Sequence, residues 1–182
     1  MIVESKEILL DNGLKIVLRS ATEYDAKMIC EHRYITSGET YFMARYPEEC
    51  TFDVSVMAAR LKGTKRSGCD FTITAFLDKE VIGDLAVSQL EVLNKYRHRA
   101  YIGIAIRKQY CNIGLGSIML EYAIKQAKAN GFEQLELDVF EDNIWAIHLY
   151  KKFGFVQYGI HPKAIKLKDG TYRDELMMVK ML

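Results

Sequence analysis

The chain has 182 residues, of which 49% are apolar and 27% charged, and its 25 basic and 24 acidic side chains leave a formal charge of +1. A single domain with a sizeable core is expected, and the near-neutral balance argues against disorder and against a nucleic-acid or anionic-membrane partner. No apolar run approaches the roughly 20 residues that cross a bilayer, and the charged opening MIVESKEILLDNG lacks the apolar core of a secretory signal. The mature chain is therefore expected to begin near Met1 and to be cytoplasmic.

The cysteines Cys30, Cys50, Cys69 and Cys111 and the histidines His32, His98, His148 and His161 are scattered. With no CxxC or HxxxH spacing, reduced thiols and no metal site are expected.

In chain order, KEILL, the turn Asp11 to Gly13 and LKIVLRSA read as a β-hairpin. Thr22 and Asp25 cap a first helix that runs to about Thr36, and a second starts near Thr51 with Phe52, Val56, Ala59 and Leu61 on its inner face and Gly63 at its end. The segment between them, SGETYFMARYPEE, is an aromatic-rich loop. DFTITAFL, VIGDLAVSQLEV and YIGIAIR predict a three-strand antiparallel meander, with the basic tip Asn94 to Arg99 read as solvated. A long helix over GLGSIMLEYAIKQAKANG, a strand QLELDVF, a short helix NIWAIHLYKKFG and strands FVQYGI and RDELMMVKM complete an α/β order without strict alternation, so a mixed sheet is expected.

Two pieces carry chemistry. After the strand YIGIAIR, about seven residues loop round and Gly114-Leu115-Gly116 opens a helix, whose free N–H groups and positive dipole end suit a phosphate. Neither a Rossmann nor a Walker loop fits, because Met119 stands where a third glycine belongs and no Lys-Ser or Lys-Thr follows Gly116. The second piece, Asn143 to Phe155, reads by itself as an N-capped amphipathic helix with a core tyrosine.

Together, strand, loop, GxG, long helix, strand and NxxAIxLYxxxGF resemble the GNAT superfamily of acyl-CoA-dependent N-acetyltransferases, and the last segment is similar to ribosomal-protein N-terminal acetyltransferases. The family signature falls on Cys111-Asn112-Ile113-Gly114-Leu115-Gly116, with Cys111 where the family has Arg or Gln. The resemblance implies one domain over 1–182, with a mostly antiparallel mixed sheet splayed between two parallel strands and helices on both faces. It further implies that Ile104 and Ile106 pair with the pantetheine arm of acetyl-CoA as a peptide would. The backbone from Cys111 through Asn112, Ile113, Gly114, Leu115, Gly116 and Ser117 would hold the pyrophosphate, and a Cβ at Gly114 or Gly116 would block it. Asn143 would hydrogen-bond the arm, and Tyr150 would approach the thioester sulfur as general acid.

The base is implied less directly: Asp138 lies five residues before Asn143 and Glu136 is its reserve, on the same strand face. Family position puts Glu39, Tyr41 and Phe42 over the acceptor, with the carboxylates of Glu39, Glu48 and Glu49 available to a cationic amine. Direct acetyl transfer to a small or protein amine is the resulting expectation, with no metal, no covalent enzyme intermediate on Cys111, and a second copy of the chain an allowed partner. The residues alone leave open a CoA-binding module with a degenerate acceptor site and an α/β protein for another nucleotide.

Overall fold

The computed structural model describes residues 1–50 and 53–182. Along these, β1 Lys6–Leu9, β2 Lys15–Arg19, α1 Ala26–Glu39, α2 Val54–Arg66, β3 Phe71–Leu77, β4 Glu80–Gln89, β5 Arg99–Ile106, α3 Leu115–Ala129, β6 Gln134–Phe140, α4 Ile144–Lys152, β7 Val156–Lys166 and β8 Tyr172–Met181 follow one another. The strands form one sheet in the order β1-β2-β3-β4-β5-β6-β8-β7. Neighbours are antiparallel except β5 and β6, which run parallel. This is the mixed, mostly antiparallel α/β architecture expected.

Alternation along the strands separates the two faces of the sheet. Leu85, Val87, Ile102, Leu135 and Leu137 point to a core closed by Leu115, Met119, Leu120 and Ala123 of α3 and by Tyr150 of α4. A smaller cluster, in which Ala26 and Ile29 of α1 and Leu61 of α2 meet Phe76 and Val81, covers part of the other face. Burying apolar side chains on both faces is worth about 1.5–3 kcal/mol for each large one.

Several boundaries move. α1 runs three residues beyond Thr36, to Glu39. α2 passes through Gly63 to Arg66, and its inward residues are Met57, Ala58 and Leu61, while Val56 and Ala59 face solvent. Asp53 caps it by accepting from the N–H groups of Ser55 and Val56, and the expected start at Thr51 and the contact by Phe52 lie outside the described residues. β7 continues through Pro162 to Lys166 with an irregular register, which proline tolerates on an edge strand.

Candidate functional site

β5 and β6 pair at Arg99/Gln134, Ala100/Leu135 and Tyr101/Glu136, and there the ladder stops, although β5 continues to Ile106 and β6 to Phe140. The expected wedge is present, and side chains account for it. At its apex Arg99 donates from Nε and Nη2 to the two carboxylate oxygens of Glu136, at 2.5 and 2.7 Å. This fork, with Gln134 also donating, holds the Glu136 carboxyl below the usual carboxylate range against the opposing effect of burial.

One step further out, the Tyr101 hydroxyl accepts from the Asp138 N–H at 3.1 Å and donates to Asp138 Oδ2 at 3.3 Å. A phenol thus satisfies a strand N–H that a backbone carbonyl would otherwise pair, and it props the two strands apart. Burial, reinforced by the Asp138 charge, pushes the Tyr101 phenol up to about 12.

Tyr150 reaches the same gap from the opposite face of the sheet. Its ring is buried, 5.7 Å from that of Phe155. Burial raises its phenol far above 10, with Tyr101 as the neighbouring titratable group, and its hydroxyl makes no hydrogen bond to another described residue.

The glycine turn opens α3 where the sequence places a helix start. Gly114 caps α3 at φ +84°, a left-handed conformation that favours glycine, after Asn112 at φ +62°. Ile118 donates the first helical hydrogen bond, to the Gly114 carbonyl, so the N–H groups of Leu115, Gly116 and Ser117 precede the ladder. A Cβ on Gly116 would lie 3.2 Å from Leu149 Cδ2 and 3.3 Å from Ile106 Cδ1, whereas one on Gly114 meets nothing within 4 Å. Gly116 therefore serves close packing of α3 against β5 and α4.

Around this turn, Ile104 and Ile106 are half-buried at the open end of β5, Leu115 and Ile113 pack into the core, and the Cys111 side chain is exposed. Local burial and the Glu39 carboxylate hold the Cys111 thiol above its usual pKa. Asn143 caps α4 through Oδ1, which accepts from Ala146 N–H at 3.3 Å, leaving its amide NH2 as a donor.

On the acceptor side the expected carboxylates are engaged elsewhere. Glu39 accepts from the Lys108 N–H at 2.7 Å, Glu48 pairs with Lys168, and Glu49 caps the N–H of Tyr46. Tyr41 donates to Asp142 at 2.6 Å, and its ring and that of Phe42 pack on Phe140 at the end of β6. The loop thus covers the face of the sheet that carries Asp138. Beside it lies a cavity of about 310 Å³ lined by α1, the loop, and Gly103, Ile104 and Ala105 of β5.

Three residues of this region escaped the sequence. Tyr101 reads there as a strand aromatic, and its bridging role needs the parallel partner to be known. Lys152 brings its ammonium 3.5 Å from Ser117 Oγ, giving the glycine turn a cation that no local motif announces. Glu175 of β8 pairs in register with Phe140, diagonally across from Asp138 on the same face, and with His161 of β7. Burial and the Asp138 charge raise its carboxyl above the usual range. Glu136, the reserve base, is held in the Arg99 fork.

A sheet opened between parallel strands, with a glycine turn at the wedge mouth and a tyrosine at its floor, defines an acyltransferase of the acyl-CoA-dependent kind. The family model for the acetyltransferase (GNAT) family matches residues 29–155, and the chain belongs to that family. It is 30% identical over 110 residues to the L-amino acid N-acetyltransferase AaaT of Escherichia coli (strain K12), covering 60% of this chain and 67% of that protein. The acetyltransferase of the GNAT family from Streptococcus pneumoniae superposes with a TM-score of 0.88 at 30% identity, over 92% of this chain and 99% of that one. A GNAT superfamily phosphinothricin acetyltransferase from Sinorhizobium meliloti, solved in complex with acetyl-CoA, superposes at 0.79 with 21% identity, over 92% of this chain and 88% of that one.

Proposed function

We propose that this N-acetyltransferase moves an acetyl group from acetyl-CoA to a primary amine by direct attack within a ternary complex, with Tyr150 as general acid and Asp138 as general base. The observation that supports the reading is the wedge, with the Tyr101–Asp138 pair on one face of the sheet and the buried Tyr150, an electrostatic neighbour of Tyr101, on the other. The chain's donors fit acetyl-CoA: free N–H groups from Leu115 to Ser117, the Lys152 ammonium, the unpaired edge of β5 beyond Tyr101, and the Asn143 amide. Acetyl-CoA supplies the activated acyl group.

An alkylamine with a pKa near 10.4 is protonated at neutral pH and must lose a proton before it attacks. The Asp138 carboxylate, on the exposed face of β6, is placed to take that proton through water. Tyr150, kept protonated by burial, holds a proton for the departing thiolate. Cys111, exposed at the glycine turn with a raised pKa, is a poor nucleophile and stands apart from the gap.

Tyr150→Phe keeps the ring and deletes the hydroxyl. Turnover, followed as free CoA released in the presence of an amine, should fall by roughly 10² or more, while acetyl-CoA affinity by calorimetry stays within about threefold. Full activity in this variant would return Tyr150 to a packing role.

A further inference from the structure

The charge of the acceptor cavity is the reverse of what its covering loop suggests. Its lining carries two guanidiniums, Arg33 of α1 and Arg45 of the loop, against one carboxylate, Asp84 of β4, and neither guanidinium forms an ion pair among the described residues. Arg33 is pushed below its ordinary pKa by burial and by the nearby Arg60 and Arg45, with Asp84 as the opposing charge. Asp84 is itself bound by the Thr74 hydroxyl at 2.8 Å. The acidic side chains of the loop are turned to Lys108, Lys168 and Tyr46. A half-buried guanidinium repelled by a second one, with Asp84 near but not in ion-pair contact, is a site for an anion, since forked N–H donors match a carboxylate in geometry and charge.

The floor of the cavity is Asp84, Ala86, Gly103 and Ala105, and beyond Asp84 these small residues leave room directly on the sheet. Gly103 is two residues along β5 from Tyr101 on the same face, a rise of roughly 7 Å. A molecule lying on this floor spans from the gap holding Tyr101 and Asp138 to the guanidinium pair. A volume of about 310 Å³ sits at the lower end of small-molecule sites.

We propose that Arg33 and Arg45 form an anion subsite that holds the carboxylate of a small zwitterionic acceptor, so that the amine acetylated belongs to a free amino acid or a close analogue. The subsite rests on the acetyltransferase reading and selects among acceptors: it favours molecules carrying both an amine and a carboxylate and works against polyamines, whose second cation meets two guanidiniums.

The test is a panel in which each free amino acid is set against its own carboxamide, with spermidine and a short peptide carrying a free N-terminus and an amidated C-terminus alongside. Rates of CoA release are measured at saturating acetyl-CoA. The free acid should exceed its amide at least tenfold in kcat/KM for the preferred side chain. Arg33→Gln and Arg45→Gln should each raise KM for that acid at least tenfold, with a smaller change in kcat and an unchanged KM for acetyl-CoA. Arg45 lies on the exposed loop, so its variant reports on the subsite even if Arg33→Gln disturbs α1, and Arg45→Glu should shift preference toward the amide.

Equal rates for acid and amide, or unaltered KM in Arg45→Gln, overturn the subsite. Turnover of spermidine or the peptide but not of any free acid overturns it too, while leaving the acetyltransferase reading intact. Failure of acetyl-CoA to bind by calorimetry overturns that reading and the subsite with it.

Discussion

With Glu136 held in its fork, two further carboxylates share the face proposed for the amine, and their surroundings differ. Asp138 is exposed and shares a hydrogen bond with Tyr101, whereas Glu175 is half-buried with its pKa raised by burial and by Asp138. Asp138, exposed beside the gap, is the better placed to reach an acceptor amine through water. Asp138→Asn should lower kcat/KM at least tenfold at pH 7, and the defect should shrink as pH approaches the pKa of the amine and free base forms unaided. A pH–rate profile on a confirmed substrate reads this directly; a variant with the parent's rate and profile would move the base to Glu175. At this scale the sequence was partly legible. Asn143 and Tyr150 lie on a helix whose spacing is visible, and the glycine turn follows from GxG before an apolar periodicity. Tyr101, Lys152 and Glu175 are contributed by elements remote in the chain, and no local period records which strands become neighbours.

The element that joins the donor-side parts is α3, whose first turn lies against both β5 and α4. Gly116 is where the three meet, with Leu149 and Ile106 filling the space a side chain would need. Gly116→Val should therefore cost about 1–3 kcal/mol of stability through overpacking. It should lower the melting temperature of the unliganded protein by roughly 2–10 °C, before any effect on acetyl-CoA is considered. An unchanged melting temperature with weakened binding would assign Gly116 to phosphate clearance and not to packing. Legibility of the elements was high where periodicity and caps agree, as in the opening hairpin, the meander and α3. It failed at the C-terminal end of α2, where Gly63 is tolerated inside a helix at about 1 kcal/mol. It failed again in β7, because HPKAIK on an edge strand lacks the alternation that half-burial imposes.

Across the whole molecule, the sheet consists of β1 to β5 on one side and β6, β8 and β7 on the other, joined by three residue pairs. The Arg99–Glu136 fork sits on that seam, with Glu136 buried and Arg99 partly so. Its carboxyl has a folded-state pKa below the ordinary value. The stability it contributes is therefore fully present above the unfolded pKa and is lost as pH falls through the folded one. Glu136→Gln should cost about 1–3 kcal/mol at pH 7, and the gap to the parent in denaturant melts should close below about pH 4. A gap that persists unchanged into acid would assign the loss to packing. The seam also bears on how the molecule comes apart. Three residue pairs cross it, against seven in each of the β4/β5 and β6/β8 ladders on either side, and fewer shared hydrogen bonds mean a smaller cost of local opening. The seam is thus expected to part before those ladders do, so that the crevice proposed for catalysis doubles as a line along which the sheet opens.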